Sequence, residues 1–186
     1  KRGTVTTNTY DPLNRLLAST RPDGSGQDVR IIKNEYDRDG NIAAITDANG
    51  NRSRFTYNGR NLLTVTTNPD NTQTVTSYDG AGNELTVTDE IGQVTTSIFD
   101  PANRLVSSTN HAGETTLLEY DLNNNKTKLT LPMGNSTAYG FDALNRSIRV
   151  TDGETNVTLY SYDANDNQLT HRDANGNLVS YVYDEL

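Results

Sequence analysis

An aromatic residue returns at a fixed interval along this chain. Tyr36, Tyr57, Tyr78, Phe99, Tyr120, Phe141, Tyr162 and Tyr183 follow one another at 21 residues, and Tyr10 precedes Tyr36 by 26. Eight of these nine are followed directly by Asp, and Tyr57 is followed by Asn58. A period of this length marks a stack of one supersecondary unit, so the chain reads as an array over residues 1–186 and not as a globule. Composition agrees: Leu, Ile, Val and Phe supply only 38 of 186 residues against 27 Thr and 23 Asn, and the mean hydropathy is -0.73. A thick apolar core is excluded on those numbers.

Other positions keep the same beat. Four residues after the aromatic stand Asn14, Gly40, Asn61, Gly82, Asn103, Asn124, Asn145 and Asp166; fourteen after it stand Gly24, Gly50, Asn71, Gly92, Gly113, Gly134, Thr155 and Gly176. Asn and Gly tolerate the left-handed backbone region at least steric cost, so both phases are predicted turns. Ten after the aromatic lies Thr in every copy but the last, which has Arg172. Between the turns apolar residues alternate with period two, as in Thr137, Tyr139 and Phe141, or Thr158, Tyr160 and Tyr162, or Val179, Tyr181 and Tyr183. Leu85 with Val87 and Ile148 with Val150 do the same in the first strand of their repeats. The prediction is all-β: tandem 21-residue hairpins making a curved antiparallel strip of about 16 short strands. A helix this rich in Thr, Asn and Gly would lose up to about 1 kcal/mol at each Gly. The five-residue insertion, within 21–28, is expected to lengthen one loop and leave the pairing intact.

The charge of -8 sets the surface against phosphate, so nucleic acid is not an expected partner. There is no cysteine, which removes disulfides, thiolate metal sites and cysteine nucleophiles. No apolar run approaches the ~20 residues of a membrane span, and residues 1–20 contain no signal-peptide h-region. The pattern runs into both ends, so the sequence reads as an excerpt.

The units Tyr10-Asp11-Pro12-Leu13-Asn14-Arg15-Leu16, Phe99-Asp100-Pro101-Ala102-Asn103-Arg104-Leu105 and Phe141-Asp142-Ala143-Leu144-Asn145-Arg146 closely resemble the YD repeat of Rhs proteins. The same repeat occurs in wall-associated proteins, toxin-complex B and C components and teneurins. That resemblance implies a β-strip spiralling into a shell around the C-terminal part of the same polypeptide, often a toxin. The expected partners are neighbouring repeats and that encapsulated domain, in a large bacterial protein that is secreted or on the cell surface. The family's Asp-Pro-x-Gly-Leu motif, whose role includes self-cleavage, does not occur in these residues; Asp11-Pro12 and Asp100-Pro101 are first-turn positions. Encapsulation is therefore expected of a longer parent.

Candidate chemistry is thin. His111 and His171 lie at different phases of different repeats, with no neighbours beyond the repeat background, and are expected at surface or strand positions. The 17 Asp are spread over turns, so some carboxylate pairs must approach one another by geometry alone. Asp47-Ala48-Asn49-Gly50-Asn51, Asp173-Ala174-Asn175-Gly176-Asn177 and Asp37-Arg38-Asp39-Gly40-Asn41 look like the front half of a calcium loop but lack the closing Glu, and turn chemistry accounts for them. Asn51, Asn125, Asn135, Asn145 and Asn156 begin Asn-x-Ser/Thr triplets, as composition makes common. No catalytic, cofactor-binding or metal residue is expected, and no enzyme. The aromatic rows are expected to pack against cross-strand neighbours; the alternative function is a cell-surface module that stacks glycans on its tyrosines.

Overall fold

The computed structural model describes residues 5–22, 25 and 27–184. They form two compact units, residues up to Thr95 and residues from Thr96. The strands are β1 Thr7–Tyr10, β2 Leu16–Pro22, β3 Asp28–Tyr36, β4 Ile42–Asp47, β5 Arg52–Tyr57, β6 Leu63–Thr67, β7 Gln73–Tyr78, β8 Glu84–Thr88 and β9 Val94–Phe99. They continue as β10 Leu105–Thr109, β11 Thr115–Tyr120, β12 Lys126–Thr130, β13 Ser136–Phe141, β14 Ser147–Thr151, β15 Val157–Tyr162, β16 Gln168–Arg172 and β17 Leu178–Ser180. All belong to an antiparallel sheet of 17 strands, and no helix occurs among the described residues.

The two turn phases are hairpin loops of one design. In the first turn Asp37 N donates to Asn41 O at 2.9 Å and Gly40 N donates back to Asp37 O; in the second, Asp47 and Asn51 repeat the closure at 2.9 Å. This is a type I turn followed by one left-handed residue, which closes a three-residue loop. Every residue at the four- and fourteen-residue phases has positive φ, from 60° at Asn14 to 99° at Gly82, and no other described residue does. Gly24 lies outside the described residues.

The two hairpins of a repeat pair differently. Across the first turn β13 and β14 make four pairs, Ala138 with Thr151, Tyr139 with Val150, Gly140 with Arg149 and Phe141 with Ser147, and Ile148 is skipped in a β-bulge. The same skip recurs at Leu17, Ala43, Thr64, Leu85, Val106, Thr127 and Leu169. Across the second turn only three pairs form, Arg149 with Leu159, Val150 with Thr158 and Thr151 with Val157. That ladder stops short of Ser147 and Tyr162. The five inserted residues are absorbed largely as strand: β2 and β3 reach 7 and 9 residues and pair as far as Pro22 with Asp28, through a register shift beyond Ser19. The pairing is intact, but the extra chain lengthens the hairpin arms and not the loop alone, since extended backbone in a ladder satisfies its own amides.

Alternate residues are covered in the last four residues of β5, β7, β9 and β11, whereas β6 and β10 are half-buried throughout. In β7 Thr74, Thr76 and Tyr78 are half-buried while Gln73, Val75 and Ser77 are exposed. Only Ala44 and Asn34 among the described residues are buried, so this sheet has no apolar core in the usual sense. The row Val179, Tyr181 and Tyr183 is not continuous strand, because β17 ends at Ser180. The corresponding residues of β15 owe their ladder to the following strand, β16, and none follows Tyr183 among the described residues. Val5 and Val182 are exposed.

Thr155 is a β-branched residue held at φ 69°, a strained conformation for its type. Thr155→Gly is expected to stabilise the chain by about 1 kcal/mol, measured by denaturant unfolding.

Candidate functional site

Each repeat carries one polar cluster at its first turn. Asp142 Oδ1 accepts from the backbone N–H groups of Leu144 at 2.9 Å and Arg146 at 3.0 Å, and Oδ2 accepts from Arg146 Nε at 2.8 Å. Asp11 with Arg15 and Asp100 with Arg104 repeat this set. Where the fifth residue after the aromatic is Asn, its side-chain amide replaces the guanidinium, as Asn41 does on Asp37, Asn125 on Asp121 and Asn167 on Asp163. An ionised carboxylate accepts and does not donate, so it suits a loop whose amides all point the same way. These bonds hold the carboxyls below the usual aspartate range. At Asp11 and Asp142 the backbone N–H of the following Arg is the largest cause; at Asp100 it is the Arg104 guanidinium, and at Asp37, Asp79, Asp121 and Asp163 the Asn side-chain amide.

The residue that clamps its own Asp also reaches the next repeat. Arg104 Nη1 donates to Asp121 O at 2.7 Å and Asn124 Oδ1 at 2.9 Å, with its guanidinium 4.8 Å from the centre of the Tyr120 ring. Arg146 Nη1 does the same to Asp163 O at 2.6 Å and Asp166 Oδ1 at 2.8 Å, 4.9 Å from Tyr162. Arg15 lies 4.3 Å from the Tyr36 ring. Asn41 and Asn125 reach Asn61 at 2.9 Å and Asn145 at 2.8 Å. Leu62 has no donor to offer, and Arg60 takes over by donating to the carbonyls of Asp79 and Gly80.

The tyrosine hydroxyl runs the opposite way, back one repeat. Tyr57 donates to Ile42 O at 3.0 Å, Tyr78 to Leu63 O at 2.7 Å, Tyr162 to Ser147 O at 3.0 Å and Tyr183 to Gln168 O at 3.0 Å. Across the insertion Tyr36 finds Leu16 O at 2.9 Å. Each of these carbonyls sits at the bulge end of a first-turn hairpin, beyond the last pair of the short ladder. Ring, hydroxyl and guanidinium thus close a seam where two neighbouring strands have stopped pairing. The repeat aromatics meet neighbours on the adjoining strand, through a hydroxyl and a guanidinium. The ring stack found among the described residues is Tyr160 on His171, 5.2 Å between centroids and 8° from parallel.

His171 is therefore a half-buried strand residue of β16, and His111 is exposed in a turn. His171 lies within electrostatic reach of Asp173, but neither histidine forms a hydrogen bond or ion pair with a carboxylate among the described residues. The carboxylate oxygens of Asp47 and Asp173, read as potential calcium ligands, accept from Asn49 N, Asn51 N and Asn51 Nδ2, and from Asn175 N, Asn177 N and Asn177 Nδ2. Asp37 is occupied likewise by Asp39 N, Asn41 N and Asn41 Nδ2. No cluster of three or more His, Asp or Glu suited to a metal occurs among the described residues. The seam residues were missed in the sequence, although their column is visible there: Arg15, Asn41, Arg104, Asn125 and Arg146 all stand five after the aromatic.

The RHS Repeat family pattern matches residues 36–73, 78–115, 99–132 and 141–178. This is more than half of the chain, and the chain belongs to the RHS repeat family. No curated protein matches the sequence. Among solved structures the TcdB2-TccC3 crystal structure is similar over 92% of this chain, with TM-score 0.74 and 16% identity. The Photorhabdus luminescens Tc holotoxin pore is similar over 92%, with TM-score 0.63 and 18% identity. At these identities the likeness is one of fold. The chain spans about a tenth of the length of the chains it matches, 11% and 10% respectively.

Two measurements check the seam. Tyr162→Phe should cost about 1 kcal/mol, the net worth of one hydrogen bond, and Tyr162→Ala about 3 kcal/mol or more, since burial and packing go too; equal costs in denaturant unfolding would contradict the assignment. The lowered turn carboxyls stabilise the native state fully above the ordinary aspartate value of 3.8, and that contribution is lost as pH falls through their lower native values. The denaturant midpoint should accordingly hold from neutrality to about pH 4 and then fall.

Proposed function

We propose that residues 1–186 are one uninterrupted repeat array that serves as a non-catalytic wall of a larger β-shell. The shell encloses a C-terminal cargo, a toxin, within a large exported bacterial protein. The observation that carries this reading is the seam. First-turn clamps on Asp, or on Asn at Asn58, donors such as Arg104 and Arg146 that reach the next repeat, and tyrosine hydroxyls such as those of Tyr57, Tyr78 and Tyr162 that reach the previous one let the sheet extend by addition without a central core. A wall one sheet thick, polar at most of its turns, confines by exclusion. Membership of the RHS repeat family and the fold shared with TcdB2-TccC3 support the assignment, and a structure related to the latter is described as lacking a hypervariable C-terminal region.

A second reading has one observation in its favour. Tyr139 and Tyr160 lie two residues before their repeat aromatics, opposite Val150 and His171, a row of rings suited to stacking on sugars. Limited proteolysis of the full-length parent separates the two. The shell reading expects the chain that follows the repeats to resist cleavage until the repeats unfold. Cleavage of that chain at the rate of the isolated C-terminal segment, together with glycan-array binding that Tyr160→Ala abolishes, would favour the adhesive module.

A further inference from the structure

Asn58 occupies the one first-turn position where the repeat aromatic is not followed by Asp. It folds the turn as Asp does elsewhere: Oδ1 accepts from the backbone N–H groups of Arg60 at 2.9 Å and Leu62 at 3.1 Å. The next residue is Gly59, which has negative φ and open space where a Cβ would stand. Its N–H has no hydrogen-bond partner among the described residues. An amide side chain, an unhindered free backbone N–H next to it and two donors aimed at the side-chain oxygen are the parts of an intramolecular acyl transfer.

We propose that Asn58 is a self-modification site at which the turn itself promotes deamidation, converting Tyr57-Asn58 into the Tyr-Asp pair of the other repeats. Gly59 N gives up its proton to solvent base and attacks Asn58 Cγ. The new C–N bond forms, the Cγ–Nδ2 bond breaks, and Nδ2 takes up a proton and leaves as ammonia. Water then opens the five-membered imide, yielding aspartate when it attacks the side-chain carbonyl and isoaspartate when it attacks the main-chain one. During the attack negative charge develops on Oδ1, where the Arg60 and Leu62 N–H groups already point, as in an oxyanion hole. The aspartate product keeps both bonds and gains charge in them.

Other asparagines of the chain isolate each requirement. Asn49-Gly50 and Asn175-Gly176 have the same unhindered successor, but their glycine N–H groups are engaged with Asp47 O at 3.2 Å and Asp173 O at 3.0 Å. Those glycines also stand at φ 86°. Asn110 has the same two donors on Oδ1, from Ala112 and Glu114 at 3.0 Å each, but a bulkier successor, His111. Asn68 occupies the equivalent second-turn position and is followed by Pro69, which has no N–H to attack with.

The test is peptide mapping by mass spectrometry of the folded chain held in mildly alkaline buffer, reading the mass gain of amide-to-acid exchange at each asparagine. Conversion at Asn58 is expected to exceed that at Asn49, Asn175 and Asn110 by at least about tenfold, a modest share of what oxyanion donors supply in enzymes. Gly59→Ala should suppress it. In denaturant the three Asn-Gly pairs should convert at one rate. Conversion at Asn49 or Asn175 as fast as at Asn58 in the folded chain would overturn the proposal, and so would a lead at Asn58 that survives denaturation, because the cause would then be local sequence and not the turn.

Discussion

Two backbone N–H groups converge inside most hairpin loops of this sheet, and a single side-chain oxygen satisfies both; the loop that opens at Leu131 has only its backbone closure. At Asp121 the two groups belong to Asn123 and Asn125, each 2.9 Å from Oδ1; at Asp152 they belong to Glu154 and Asn156, again at 2.9 Å. Leaving such groups unpaired away from water costs roughly 1 to 3 kcal/mol each. A chain with this little aliphatic surface has few means of compensating that loss. The acceptor fixes the loop, the loop places one residue at positive φ, and that residue sets the register of the hairpin it closes.

Inter-repeat contact follows from the same cluster. Once Oδ2 of the first-turn Asp has oriented the Arg or Asn five residues after the aromatic, that side chain has donors left over, and they meet the next turn. The short ladder across the second turn makes room for the next ring, whose hydroxyl takes the carbonyl at the bulge. Phe99 and Phe141 lack that hydroxyl, so the array tolerates its loss at some positions and is held by the sum of many modest terms. Such addition suits a structure that grows by copying.

Period, turn phases and the face alternation of strands such as β5, β7 and β11 that end on the aromatic were legible, because each depends on one residue's backbone or burial preference. Gly and Asn at φ near 60° to 99° and alternating covered residues in β7 are direct expressions of those preferences. The bulges at Ile148 and its counterparts left no mark, since the skipped residue is as apolar or β-branched as its neighbours. The role of Tyr was half legible: its face followed from alternation, but its partners come from a residue 16 positions earlier, Arg146 for Tyr162, and from a carbonyl 15 earlier. No single-repeat reading exposes contacts of that span. The insertion was misjudged for the same reason, because whether extra residues join a ladder depends on the strand opposite.

The central claim is that turn carboxylates and not apolar burial hold this sheet together. Denaturant unfolding of Asp142→Ala, Asp142→Asn and Val150→Ala in the same chain tests it most directly. Val150 is half-buried in β14 opposite Tyr139 and Thr158, as good an apolar site as the second unit offers. The account predicts that Asp142→Ala destabilises more than Val150→Ala, with Asp142→Asn in between because an amide oxygen can still accept both loop N–H groups, as it does at Asn58 and Asn110. A larger loss for Val150→Ala than for Asp142→Ala would contradict it.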